Sequence, residues 1–222
     1  VAEDKPVDPN GEKEMGYLRY PNVVGKVVTF VSEGNIWVGS IDGGAAARVS
    51  ASYSAEALPK LSPDGKQIAF LAQSVDGYEV FTVPVAGGIT TRVSYGSAAM
   101  KLEGWTKKGK VRAFPTHHIP PLRLPIPRLT LSFLSSQILI VTTFFSPTGL
   151  PQLAEIDTHT KNMAVLPFAR ATGGTQDEHG CYVFYPLRQT SSTKRYEGGE
   201  QSRLWRWCAS DKEASILTDE AW

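Results

Sequence analysis

The sequence predicts an all-β fold, and three observations lead to this prediction. A block of sixteen residues recurs after 44 residues, and short runs of β-branched and aromatic residues alternate with turn residues. No window of eleven or more residues shows the 3.6-residue apolar period of an amphipathic helix. A period of roughly 40–50 residues is typical of a four-stranded propeller blade. The sequence therefore predicts an incomplete β-propeller with about three to four four-stranded blades and a ~44-residue repeat.

The repeat is clearest between residues 35–50 and residues 79–94, which align with a constant offset of 44 residues. The matched positions are Trp37 with Phe81, Gly43-Gly44 with Gly87-Gly88, and Arg48-Val49-Ser50 with Arg92-Val93-Ser94. Partial copies follow at 150–166 and 202–218. We expect all four segments to occupy equivalent places in successive blades.

Turn chemistry separates the predicted strands. Glu33-Gly34-Asn35 interrupts one apolar run, as a hairpin turn would. Ser62-Pro63-Asp64-Gly65 interrupts another: proline presets φ, Asp bonds to its own backbone, and Gly adopts positive φ. Residues 158–162 and 210–212 are predicted turns in the two partial copies.

Composition and charge exclude several classes of protein. The chain has 222 residues, of which 41% are hydrophobic and 20% charged, as in an ordinary globular protein. Because 23 basic residues balance 22 acidic ones, charge does not argue for a nucleic-acid or membrane partner. Seven of the first fourteen residues are charged, so residues 1–15 are predicted to be a disordered leader.

The two cysteines are too few for a disulfide scaffold, and a reducing compartment is therefore expected. Cys181 and Cys208 each lie among strand-like residues, which predicts small buried hydrophobic side chains rather than reactive thiols. Alternation along a strand places Trp205 and Trp207 on one face and Arg206 on the other. Packing between blades is the predicted role of Trp37, Phe81, Trp205 and Trp207.

One segment, residues 113–146, differs from the rest of the chain. Residues 114–146 contain no Gly, Asp, Glu, Lys or Ala, and more than half of them are Phe, Pro, Leu or Ser. Such residues are encoded by pyrimidine-rich codons. In addition, the distance in sequence from Val85 to its counterpart Ile156 is much longer than one blade period. A retained intron is therefore one interpretation of this segment. Its removal would join GWTKKGKVRA to FFSPTGLPQLAEID.

Two other interpretations of this segment remain open. A genuine loop insertion is the first. The second is a membrane span over 129–145, although this stretch is barely long enough and contains seven Ser, Thr or Gln residues. If residues 113–146 are translated, we expect an excursion that is poorly ordered or arbitrarily packed.

Several motifs, taken in order, resemble the N-terminal propeller of the tricorn protease family. They are Gly16-Tyr17-Leu18-Arg19-Tyr20-Pro21, then residues 30–37, Gly104-Trp105-Thr106, and Lys194-Arg195-Tyr196-Glu197-Gly198-Gly199 before Leu204-Trp205. The resemblance covers about 16–112 and 147–218. It implies blades 1 and 2 and the start of blade 3 within 16–112, and blades 3 and 4 within 147–222.

The resemblance implies a fragment of a cytosolic, homo-oligomeric serine peptidase that degrades short peptides. Its six-bladed N-terminal propeller would serve as scaffold and peptide passage without catalysis of its own. An alternative is a non-enzymatic, protein-binding propeller resembling TolB, which also uses Ser-Pro-Asp-Gly hairpins. Neither implies a nucleic-acid or membrane partner.

No catalytic, cofactor-binding or metal-binding residue is predicted. The sequence lacks a Gly-x-Ser-x-Gly elbow, a phosphate-binding glycine loop and a His-Glu-x-x-His motif. His117-His118 has no carboxylate or cysteine neighbour, and His159 and His179 are predicted turn residues. The candidate contacts for a peptide in the channel are Lys194, Arg195 and Tyr196; the alternative for them is a solvated charged loop.

Overall fold

The computed structural model describes residues 17–51, 54–75, 77–95, 100–107, 137–142, 150–187 and 202–218. Within these ranges, sixteen strands form four separate four-stranded sheets. In every sheet the strands are antiparallel and follow one another in chain order. The prediction of an all-β chain with four-stranded blades is confirmed.

The strands have the following bounds. Blade 1 contains β1 (Arg19–Val24), β2 (Val27–Ser32), β3 (Asn35–Ser40) and β4 (Ala47–Arg48). Blade 2 contains β5 (Glu56–Leu61), β6 (Gln67–Ser74), β7 (Gly77–Pro84) and β8 (Thr91–Arg92). Blade 3 contains β9 (Met100–Trp105), β10 (Gln137–Thr142), β11 (Gln152–Asp157) and β12 (Met163–Val165). Blade 4 contains β13 (Gly173–Gln176), β14 (Tyr182–Tyr185), β15 (Trp205–Trp207) and β16 (Ser215–Ile216).

The first strands of successive blades lie side by side. Strand β5 contacts β1 and β9, and β9 contacts β13, so these four strands form the inner edge of the assembly. Two bonds from side chains tie this edge together. Asn22 accepts the N–H of Leu61 at 2.8 Å, and the indole of Trp105 donates to the carbonyl of Lys60 at 2.8 Å.

Apolar layers fill the spaces between blades. The second strand of a blade is covered on both faces, which explains why QIAFLA is a nearly continuous apolar run. In β6, Ile68 and Phe70 pack towards blade 1, whereas Ala69 and Leu71 pack towards blade 3. Blade 2 is therefore held by blade 1 on one face and by blade 3 on the other.

The predicted turns are present. Glu33 and Gly34 both have positive φ, 53° and 77°, which is the two-residue hairpin geometry that matches strand twist. In the turn after β5, the hydroxyl of Ser62 accepts the N–H of Gln67 at 2.9 Å and donates to Asp64 at 2.6 Å. Gly65 has a φ of 68° there, as the sequence predicted for a Gly at this position.

The repeated Arg-Val-Ser segment has a structural role. The hydroxyl of Ser50 accepts the N–H of Ile36 at 2.8 Å, and the hydroxyl of Ser94 accepts the N–H of Val80 at 2.7 Å. Each hydroxyl donates to a buried carboxylate, Glu56 in one case and Glu79 in the other. The serine thus ties the outer end of its blade to the third strand.

Strand β10 corrects the sequence-based bounds of the anomalous segment. Residues 137–142 were assigned to the insertion at 113–146, but they pair with both β9 and β11. Ile138 and Ile140 pack towards blade 2, and Leu139 packs towards blade 4, because this apolar run suits a second strand. Joining GWTKKGKVRA to FFSPTGL would have removed this strand. Residues 108–136 and 143–149 lie outside the described residues.

The same strand contradicts the interpretation of 129–145 as a membrane span, since 137–142 lie within a sheet. Across the described ranges, no helix is long and apolar enough to cross a membrane.

We predict that Ser94→Ala lowers the free energy of unfolding by about 1–3 kcal/mol, because the buried N–H of Val80 loses its acceptor. Ser50→Ala should cost less, since the N–H of Ile36 also donates to Glu56 at 3.0 Å. Urea denaturation of both variants measures this, with the exposed Ser210→Ala as control. Equal effects in Ser94→Ala and Ser210→Ala would contradict the structural role.

Candidate functional site

A charged pair lies on the inner edge of blade 3. Met100 and Leu102 in β9 pack into the layer towards blade 2, so Lys101 and Glu103 lie on the opposite face of the strand. The ammonium of Lys101 lies 2.6 Å from a carboxylate oxygen of Glu103. The side chain of Lys101 is 51% exposed and that of Glu103 is 13% exposed. The side chain of Lys101 is therefore half-exposed, whereas that of Glu103 is mostly covered.

Tyr185 completes this group from blade 4. It pairs across strands with Gly173, and a Cβ atom on Gly173 would overlap the phenol ring. The glycine therefore lets the ring lie directly over the backbone of β13. From there, Tyr185 interacts electrostatically with Lys101 and helps to raise the pKa of its ammonium.

Electrostatics keep Lys101 charged. Burial alone would lower its pKa, but the ion pair with Glu103 and the interaction with Tyr185 outweigh burial, so the pKa is raised. We call Lys101, Glu103 and Tyr185 the inner-edge cluster. It offers a half-exposed lysine side chain whose ammonium can donate hydrogen bonds to carbonyl or carboxylate oxygens.

The sequence-predicted channel contacts Lys194, Arg195 and Tyr196 lie outside the described residues. They belong to the segment 188–201, which follows strand β14 in the chain. The ends of this segment are close together, since the hydroxyl of Ser202 donates to the carbonyl of Leu187 at 2.7 Å. Leu187 and Ser202, which flank the segment, therefore lie close to β14, the strand that supplies Tyr185 to the inner-edge cluster. Sequence reasoning missed that cluster, because Lys101 and Tyr185 are 84 positions apart and only strand order brings them together.

The described histidines lie in exposed turns, as predicted. His159 follows β11, and His179 lies in the turn between β13 and β14, where it is 3.6 Å from Glu178. His117 and His118 lie outside the described residues. Among the residues with described positions, no three His, Cys, Asp or Glu side chains are grouped as metal ligands would be.

A second buried pair connects blades 3 and 4. The hydroxyl of Tyr182 in β14 donates to the carboxyl of Glu155 in β11. Burial raises the pKa of Glu155 more than the hydrogen bond from Tyr182 lowers it. Burial and the neighbouring Glu155 also raise the pKa of Tyr182. The carboxyl of Glu155 therefore binds a proton more readily in the folded protein than in the unfolded chain.

Cys181 and Cys208 form a disulfide, so the prediction of unpaired buried thiols is wrong. Cys181 precedes Tyr182 and Cys208 follows Trp207, so the two cysteines are next to the cross-strand pair of Tyr182 and Trp207. The Cα atoms of the cysteines are 4.3 Å apart. The guanidinium of Arg206 lies beside the bridge, 3.1 Å from the sulfur of Cys181. The pairing could not be foreseen because it depends on the register of β14 and β15.

The predicted arrangement of aromatic residues in β15 is confirmed. Trp207 is buried in the layer between blades 3 and 4, and Trp205 packs against that layer. Arg206 points to the other face, where it pairs with Asp177 at 3.2 Å.

We predict that Glu155→Gln keeps or increases stability at neutral pH, because the glutamine can still accept the hydrogen bond from Tyr182 without a buried charge. In the parent chain, stability rises as pH falls from neutral towards 4.5, since the folded state binds a proton more tightly. The variant should show a smaller rise. Urea midpoints between pH 4.5 and 7.5 measure this, with the exposed Glu213→Gln as control. Identical pH profiles for the parent chain and Glu155→Gln would contradict the assignment.

We predict that the double variant Cys181→Ser/Cys208→Ser loses about 3–4 kcal/mol of stability, because the bridge closes a loop with a sequence separation of 27. Dithiothreitol should lower the unfolding midpoint of the parent chain towards that of the variant and leave the variant unchanged. An unchanged midpoint of the parent chain in reductant would show that the bridge does not stabilise blade 4.

Comparison with known proteins extends these findings. The model of the tricorn protease N-terminal beta propeller domain matches residues 15–124, ending between β9 and β10. Tricorn protease homolog 1 of Streptomyces coelicolor is 30% identical over 191 residues, which are 85% of this chain and 16% of the relative. A tricorn protease homolog of Saccharolobus solfataricus is 27% identical over 109 residues, 47% of this chain and 10% of the relative. The chain thus spans about a sixth of the length of the Streptomyces relative.

Solved structures share the fold at low sequence identity. The tricorn protease structure matches with a TM-score of 0.64 and 17% identity, covering 92% of this chain and 18% of that one. TolB from Acinetobacter baumannii matches with a TM-score of 0.58 and 16% identity, covering 91% and 44%. The sequence matches and the shared fold together identify the chain as a portion of the N-terminal β-propeller of the tricorn protease family.

Proposed function

We propose that this chain serves as scaffold and passage for short peptides in a tricorn-like serine peptidase and supplies no catalytic residue itself. The observation that carries the proposal is the row of first strands β1, β5, β9 and β13, with the inner-edge cluster at the boundary of blades 3 and 4. In a propeller, this row lines the central channel. A peptide in the channel would therefore meet the ammonium of Lys101.

The charges of the cluster suit transient contact. The ammonium of Lys101 can donate to a peptide carbonyl or a terminal carboxylate, while Glu103 offsets its charge. Ion pairs that stay exposed to water contribute no more than about 1 kcal/mol, so a peptide would not be trapped. Lys194, Arg195 and Tyr196, in the segment that follows Tyr185, would supply further donors.

The proposal that the chain is non-catalytic is supported by the use of its serines and carboxylates. Ser50 and Ser94 are buried, and their hydroxyls are bonded to the buried carboxylates of Glu56 and Glu79. A hydrolytic serine needs a base and access to substrate. We therefore assign the nucleophile to another part of the parent peptidase.

Peptides are the proposed ligands, and the full-length parent is proposed to be a cytoplasmic homo-oligomer with neither nucleic acid nor membrane as partner. One observation weighs against a cytoplasmic location. The Cys181–Cys208 disulfide is of a kind that persists mainly in oxidising compartments.

A TolB-like, protein-binding propeller is the alternative. It shares the blades, so the fold alone does not separate the two functions. The match to the tricorn propeller family and the 30% identity to a tricorn protease homolog favour the peptidase.

We predict that Lys101→Ala in the full-length peptidase lowers kcat/KM for short peptides several-fold, and that the triple alanine variant of Lys194, Arg195 and Tyr196 does the same. The loss should be larger for peptides with a free terminal carboxylate than for amidated ones, since a charged partner is removed. Lys26→Ala is the matched control, because Lys26 lies in a hairpin turn and pairs with Asp42.

Two results would contradict the proposed function. Hydrolysis of peptides by the 222-residue chain alone would show that it carries its own active site. Unchanged kinetics in both channel variants would show that peptides do not pass along the inner edge.

A further inference from the structure

We propose that blade 3 is completed by joining Lys110 directly to Ile138, and that residues 111–137 are the translation of an unspliced intron rather than part of the working protein. The sequence alone suggested an intron somewhere in 113–146. The described strands on either side fix where the two ends must meet.

Blades 2, 3 and 4 each contain an equivalent hydrogen bond between their first and second strands. In blade 2 the N–H of Ser62 donates to the carbonyl of Gln67 at 2.8 Å, and in blade 4 the N–H of Asp177 donates to that of Cys181 at 2.8 Å. In blade 3 the N–H of Thr106 donates to the carbonyl of Gln137 at 2.9 Å. This bond closes the turn between the first and second strands.

The length of chain between the donor and the acceptor of this bond differs among the three blades. The donor and acceptor are five positions apart in blade 2, four in blade 4 and 31 in blade 3. Blade 3 must therefore lose twenty-six positions for its turn to have the length of the turn in blade 2. It must lose twenty-seven positions for its turn to have the length of the turn in blade 4. The longer loss equals the excess over the blade period, since Val85 and its counterpart Ile156 are 71 positions apart rather than 44.

The residue types that this turn requires already precede the surplus in the sequence. Gly109 is three positions after Thr106, as Gly65 is after Ser62 and Gly180 is after Asp177. Gly65 and Gly180 both have positive φ, 68° and 81°. Thr106-Lys107-Lys108-Gly109-Lys110 thus has a glycine where this turn requires positive φ.

The strand register also fits a junction between Lys110 and Ile138. In blade 4, Cys181 is followed by Tyr182, which pairs with Gln176, the residue before the turn. If Lys110 takes the place of Cys181, the next residue must pair with Trp105. Ile138 has this pairing in the structure. Joining Lys110 to Ile138 therefore keeps every strand pair of β10 from Ile138 onward, and Lys110 takes the place of Gln137 opposite Asp157.

Of the two possible deletions, the one of twenty-seven positions fits the codons at the two ends of the surplus segment. Spliceosomal introns begin with GU and end with AG. Every valine codon begins with GU, so Val111 can supply the start, and one of the two glutamine codons is CAG, so Gln137 can supply the end. Removing 111–137 satisfies both the turn and the splice sites.

The direct test is sequencing of the natural transcript across the codons for Trp105 to Gln152. We expect a shorter product that lacks the codons for 111–137, with the Lys110 codon followed by that of Ile138. In the native protein, Glu-C digestion should yield a peptide that begins at Gly104, ends at Glu155 and lacks 111–137. A transcript population without the shorter product, or any native peptide from within 111–137, would overturn the proposal.

A second test uses recombinant variants and does not depend on the transcript. Deleting 111–137 from the full chain should raise the Tm by roughly 3–7 °C, because a long connection is replaced by a tight turn. The control deletion of 114–140 has the same length but removes Ile138, Leu139 and Ile140, and should abolish cooperative melting. A lower Tm for the 111–137 deletion than for the full chain would overturn the proposal.

Discussion

The structure depends on the burial of the second strands of blades 2 and 3, each of which lies between two neighbouring blades. Strands β6 and β10 are apolar on both faces, and each face contributes to a different layer. Because a sheet with two apolar faces is unstable when only one is covered, a blade is stabilised by its neighbours rather than alone. The turns, the short outer strands and the inner edge all take their positions from this stacking.

The repeated serines and the inner-edge cluster lie at positions where the packing of the blades leaves space for polar side chains. Each repeated serine follows the short fourth strand of its blade, and its hydroxyl bonds to a buried N–H of the third strand and to a buried carboxylate. The inner-edge cluster exists because Gly173 leaves space for Tyr185 beside Lys101. Repetition thus explains the serines, whereas the cluster arises from features that only blades 3 and 4 possess.

The blades were predictable from sequence because period, turn chemistry and strand composition are local signals. The pairing of Ser62 with Asp64 and the positive φ of Gly65 follow directly from a four-residue motif. Pairings between distant residues were not predictable in this way. The bridge between Cys181 and Cys208, the contact of Lys101 with Tyr185 and the place of β10 all depend on which strands become neighbours.

The disulfide also changes the covalent topology of blade 4. Cys181 and Cys208 lie on either side of the whole connection between β14 and β15, so residues 181–208 form a closed covalent ring. A single cut in the backbone within that ring opens it but releases no fragment. In a protein assigned to a peptidase family, the segment with Lys194, Arg195 and Tyr196 could therefore be nicked once and still hold the two parts of the chain together.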